Sequence, residues 1–249
     1  MKTNNPTLSS RVLAQFGQSG QVSAGERMTV EGTVNRAAFL LFLAVVPAAW
    51  VWTEVARTQT ADTAVPWMLG GMVGGLVAAL VTVVKKEWAA VTAPAYAVLE
   101  GLALGGVSAV LEMQYRGVVI QAVALTFGTL LCMLVAYRSG LIKVTDRFRM
   151  GVVGATGAIA LLYVVSFVLS LFHVAVPFLM GGGTLSIGLS VVIVAVAALN
   201  LVLDFDFIEQ AASAGAPKYA EWYAAFGVMV TLVWLYLEIL RLLGNLRRR

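Results

Sequence analysis

Five ionisable side chains stand where a helix crossing hydrocarbon should carry none: Glu100, Asp204, Asp206, Glu238 and Arg241. A charge at the centre of such a helix costs roughly 2.5–3.5 kcal/mol on insertion scales, so each one asks for a partner or a purpose. Glu238 and Arg241 are three residues apart and share a helix face, which lets the guanidinium neutralise the carboxylate in a purely structural arrangement. Two carboxylates held close in a low-dielectric interior cannot both ionise cheaply, and such a pair can bind a proton or a hard cation instead. The residues that suggest such a pair are Glu238 and Glu100. If the third and seventh spans both start on the inner side, Glu100 and Glu238 lie at depths of roughly 16 and 21 Å by the helical rise, and they could share a site. Asp204, Asp206 and Glu209 form an acidic cluster on the same membrane face as Lys85 and Lys86. That leaves two readings, a salt-bridge latch or charges simply solvated at the interface. Asn200, one turn before Asp204, is read as stabilising the bundle by hydrogen bonding.

The elements that must position these groups follow from composition. Of 249 residues, 60% are hydrophobic and only 12% charged, and the mean hydropathy is +0.87, so lipid is the main solvent. Apolar stretches recur at 37–53, 66–84, 89–111, 118–137, 150–172, 185–208 and 224–244, each able to cross roughly 30 Å of hydrocarbon. Backbone amides in hydrocarbon must pair internally, and the ten-residue alternation of a membrane β-barrel is absent. The expectation is an all-α integral membrane protein of about seven transmembrane helices. A polar tail at 1–35 precedes a transmembrane domain at 36–249, and the tail lacks the hydrophobic region of a cleavable signal peptide.

Smaller signals fill in the bundle. Gly70, Gly71, Gly74 and Gly75 give the second span a small-residue face that should touch another helix. Trp50, Trp52 and Trp67, with Tyr219, Trp222 and Tyr223, fit aromatic belts at the two interfaces. Pro177 and Gly181, Gly182 and Gly183 sit either in a simple outer loop or in a re-entrant break. Most Lys and Arg residues fall on one side if the N-terminus is cytoplasmic, although an odd number of spans then puts Arg247, Arg248 and Arg249 outside, against the positive-inside trend.

Many function classes are excluded. Cys132 is the only cysteine and His173 the only histidine, so no intrachain disulfide exists, and thiolate or imidazole metal sites are nearly ruled out. The net charge of +4 sits at segment ends as a topology signal, which argues against nucleic acid as a partner. Gly151, Gly154 and Gly157 follow no strand and continue into an apolar span, so they are no phosphate loop. No HExxH, GxSxG, Walker-type or GxGD run appears, and no enzyme activity is expected.

The runs LDFDFIE at 203–209, APKYAEWY at 216–223 and LYLEILRLL at 235–243 carry a resemblance. With YAVLEGLALG at 96–105, LTFGTLLCML at 125–134 and YRSGLIKVTDRFR at 137–149, they resemble a bacterial branch of the Bax inhibitor-1/YccA family, also called transmembrane Bax inhibitor motif proteins, over essentially the whole chain. The resemblance implies a last helix surrounded by the other six, and a multi-pass protein of the bacterial plasma membrane. It further implies a pH-sensitive calcium leak gated by paired acids, with calcium as the permeant ion and no resident cofactor. Asp204 matches the sixth-helix acid of that pair, Glu238 stands where other members carry Asp, and Lys85 or Lys86 matches the latch partner, with Asp206 and Arg241 close by. The stretch between Asp204 and Glu238 is about ten residues longer than in the leak-channel members, and antiparallel counting separates the two acids in depth. The family also includes a modulator of a membrane-bound protease and suppressors of cell death. A non-conducting regulator that binds other membrane proteins therefore stands as the alternative, with the oligomeric state left open.

Overall fold

The computed structural model describes residues 27–172 and 183–248. His173, Pro177, Gly181 and Gly182, and with them the choice between outer loop and re-entrant break, lie outside the described residues, as does most of the polar tail. Among the described residues there are seven long helices and no strand: α1 (Val30–Thr58), α2 (Val65–Val84), α3 (Ala89–Gln114), α4 (Val118–Arg138), α5 (Asp146–Leu171), α6 (Thr184–Ser213) and α7 (Ala220–Arg247). All seven are long and apolar enough to cross a membrane.

Each apolar run is thus a helix, but the helices outrun the runs. α1 begins at Val30, inside the segment read as tail, and α6 continues to Ser213, five residues past its expected end. The added turns carry polar residues such as Glu31, Asn35 and Arg36, which end a hydrocarbon-spanning stretch without disturbing backbone hydrogen bonding. Local chemistry sets the true ends. Thr29 caps α1 by accepting a hydrogen bond from the Gly32 amide, and Thr145 caps α5 by accepting one from Phe148. Between α4 and α5 the chain turns at Gly140, whose φ of 72° a side chain would disfavour.

The chain packs as two compact units. Among the described residues, the first holds the chain from Arg27 to Arg116 together with Phe207–Val230, and the second holds those of Gly117–Asp206 together with the chain from Thr231 onward. In the first unit, glycines let backbones meet. A Cβ on Gly105 of α3 would come within 2.6 Å of the Ala48 carbonyl oxygen of α1, and one on Gly71 of α2 within 2.7 Å of the Ala103 amide of α3. The glycine face expected on α2 is therefore used, against α3, by Gly71, Gly74 and Gly75, while Gly70 faces open space. Beside this seam Val51, Val55, Ala64 and Ala109 form a fully buried cluster.

In the second unit, α4 and α5 turn Leu131, Val135, Leu161, Val164 and Phe167 outward, the surface a lipid-facing helix needs. Burial rises sharply towards the last helix. Only 11% of the most apolar stretch of α5 is buried against protein, against 61% of that of α7.

Candidate functional site

Asp204 lies on α6 with 2% of its surface exposed, and the carboxylate accepts a hydrogen bond from the Thr231 hydroxyl of α7. Its second oxygen, Oδ2, has no hydrogen-bond partner among the described residues. Two residues on, Asp206 is ion-paired with Arg149 in the first turn of α5. One turn before Asp204, the Asn200 amide donates to Thr156 Oγ1 at 2.8 Å and to its own helix at Val196 O, which is the bundle-stabilising role expected of it.

Glu238 of α7 is almost as buried, at 5%, but well partnered. Arg241 Nη2 stands 2.7 Å from its Oε2, while the Tyr163 hydroxyl of α5 and Trp234 Nε1, at 3.3 Å, both donate to Oε1. Arg241 also lies over the Tyr163 ring, 5.3 Å from its centroid. Two turns further along, Asn245 donates to Ser186 at 3.1 Å and to Ser190 at 3.4 Å. Buried polar contacts therefore join α6 and α7 at two separate levels, Asn245 with Ser186 and Ser190, and Asp204 with Thr231.

Thr231, level with Asp204, precedes Glu238 by seven residues, about 10 Å along the helix. The separation in depth expected from antiparallel counting is present, and no hydrogen bond joins the two acids. The run 216–223 contains no helix of its own; a turn follows Ser213 and α7 begins at Ala220.

Glu100 and the two lysines belong to the first unit. Glu100, in the middle of α3, is half-buried, with Oε2 at 3.0 Å from where a Cβ on Gly75 would stand, and with Tyr96 one turn earlier. Lys85 sits over the Trp88 ring at 4.3 Å, and Lys86 over the Tyr223 ring at 5.9 Å. Tyr223 itself is fully buried, which corrects its place in an interfacial belt, whereas Trp50 and Trp67 do meet edge to face among exposed residues, at 4.7 Å. Among the described residues no group of three or more His, Cys, Asp or Glu side chains could hold a metal ion.

A family model described as Bax inhibitor 1 like matches residues 5–248, nearly the whole chain. The chain belongs to that family. No curated protein and no solved structure matches it. As a Bax inhibitor 1 like protein with seven apolar helices, it is a multi-pass membrane protein.

This Bax inhibitor 1 like chain also holds a buried carboxylate that sequence reasoning passed over. Glu221, in the first turn of α7, has no exposed surface and receives four partners: the Thr29 amide at 2.9 Å, the Thr29 hydroxyl at 3.0 Å, Lys218 Nζ at 3.0 Å, and the Arg36 guanidinium. Arg36 in turn lies over the Trp222 ring, at 5.1 Å. Gly32 makes room for the carboxylate, since a Cβ there would come within 2.6 Å of Oε2. Its position at a helix start disguised it, because acids are common in first turns and favourable there. Tyr163 was missed for a different reason. A lone tyrosine in an apolar span asks for an acceptor for its hydroxyl, and that demand was the available signal.

Proposed function

We propose that this chain is a cation-leak protein, with calcium the first candidate ion, and that protonation of buried carboxylates shifts it between a closed and an open state. Asp204 carries the proposal. It is an acid inside a membrane-spanning helix, with one oxygen unpartnered and no ion pair among the described residues. Such a group is stable when neutral, or when water or a cation reaches it, so its charge is coupled to whether the surrounding helices admit them. The buried polar contacts of Asp204 with Thr231 and of Asn245 with Ser186 and Ser190 support a polar lining at two levels of the second unit. Membership of the Bax inhibitor 1 like family places the chain among membrane proteins, where such a reading applies.

The deciding test is calcium flux into dye-loaded liposomes from about pH 5 to about pH 8. Native flux should change with pH, and Asp204→Asn should flatten the change. No flux at any pH would remove the proposal.

The second reading, a non-conducting regulator of other membrane proteins, is favoured by α5. Gly151, Gly154 and Gly157 on its exposed face have open space where a neighbour would pack, whereas Gly71, Gly74 and Gly75 of α2 are already used within the protein. On that reading Asp204→Asn leaves partner capture intact.

A further inference from the structure

Glu238 is not held in the way Asp204 is. The two groups that carry or exchange a proton beside it in the second unit are Tyr163 of α5 and Arg241 of α7, and Trp234 adds a neutral donor. Asp206 is paired with Arg149, and Asp204 lies two turns away at the level of Thr231.

The ion pair of Arg241 with Glu238 is internal to α7, three residues along, and the guanidinium meets α5 only through the Tyr163 ring. The tie across helices is made by Tyr163. The arginine side chain is 25% exposed while that of Glu238 is only 6% exposed, although the guanidinium atoms Nε and Nη2 are themselves buried. The Tyr163 ring, already under the guanidinium, offers a second resting place by cation–π attraction when the carboxylate is released.

We propose that Arg241 is a tethered counter-ion: its guanidinium occupies the place at Glu238 that a permeating cation would take, and Glu238 joins the ion route only when Arg241 swings off it. This rests on the leak function proposed above. It departs from a gate of two paired acids, since here one acid, Asp204, is unpaired while the other carries its own cation. Arg241 acts through Glu238 and is a positioning residue.

Labelling by dicyclohexylcarbodiimide in detergent, read by peptide mass spectrometry, tests this without any flux. A carboxyl oxygen adds to the carbodiimide carbon, its proton passes to nitrogen, and the adduct rearranges to a stable N-acylurea. The reaction needs a protonated carboxyl, so an arginine-paired carboxylate is protected. In the native protein Glu238 should label at most about one-tenth as fast as Asp204, and Arg241→Gln should raise the Glu238 rate about tenfold. Arg241→Lys, which keeps the positive charge, should retain the protection. Native Glu238 labelling as fast as Asp204 would overturn the inference even if Arg241→Gln does not fold, and so would a folded Arg241→Gln whose Glu238 stays protected. In liposomes Arg241→Gln should increase the leak several-fold, and an unchanged or smaller leak counts against the tether. A complete absence of leak in every variant would sink the proposed function, with the labelling contrast still deciding the state of Glu238.

Discussion

Two carboxylates of this protein are withdrawn from solvent to the same degree, yet their surroundings are opposite. Glu221, in the first unit, has four partners including two cations, although its Oε2 accepts no hydrogen bond, whereas Asp204, in the second, has the Thr231 hydroxyl, an oxygen without a hydrogen bond and no ion pair among the described residues. Burial is the same in both, so burial by itself does not mark function. A charge taken out of water is tolerable when its surroundings replace the lost hydration, as they do for Glu221. Where they do not, as at Asp204, the group stays sensitive to whatever can still reach it.

The largest effect should come from breaking the satisfied site. Glu221→Gln keeps the shape and one acceptor but leaves Arg36 and Lys218 facing a neutral amide, and it loosens the start of α1 from the start of α7. Removing one partner of a buried ion pair costs about 3 kcal/mol. Thermal unfolding in detergent should show a fall in midpoint of several degrees, with the pH dependence of any leak retained. A variant as stable as the native protein would mean that the four contacts merely fill space.

How far these sites could be read in advance follows from the same contrast. All seven helices were legible, because about 20 apolar residues in succession have few other uses. Their ends were not, since Asn35, Arg36 and Glu54 interrupt an apolar count without interrupting a helix. Asp204, Glu238 and Arg241 were conspicuous as charges in the wrong solvent, and the pairing of the last two followed from their spacing. Glu221 was invisible because its capping partner Thr29 lies 192 residues away and nothing local records that meeting. Arg149 likewise read as one more inner-side basic residue, although it reaches Asp206 across 57 positions. Pattern announces which charges are out of place, while tertiary packing alone announces which are satisfied.

A smaller effect is expected between the extremes, at the Arg149–Asp206 pair. Both side chains keep some exposure, 20% and 15%, so water compensates part of what each would lose. Arg149→Gln should cost about 1 kcal/mol, nearer to an exposed pair than to Glu221, and raising the salt concentration should narrow its gap in unfolding midpoint from the native protein. A loss as large as that of Glu221→Gln would place Asp206 with the satisfied sites and blur the comparison.

The smallest change in stability should come from Asp204→Asn, and it sharpens the contrast most. The amide is nearly the same size, can still accept from Thr231, and removes a group whose charged form the surroundings leave uncompensated. Neutralising a buried, counter-ion-free carboxylate should therefore leave the unfolding midpoint level or slightly raised, within about 1 kcal/mol of native stability. The pH dependence of the calcium leak should meanwhile be flattened, because the group that responds has been fixed in its neutral shape. Stability held while the response is lost would separate Asp204 from Glu221 by role as well as by surroundings. A marked destabilisation would show that the aspartate charge is part of the scaffold, and the two buried acids would then differ only in how many of their partners are protein atoms.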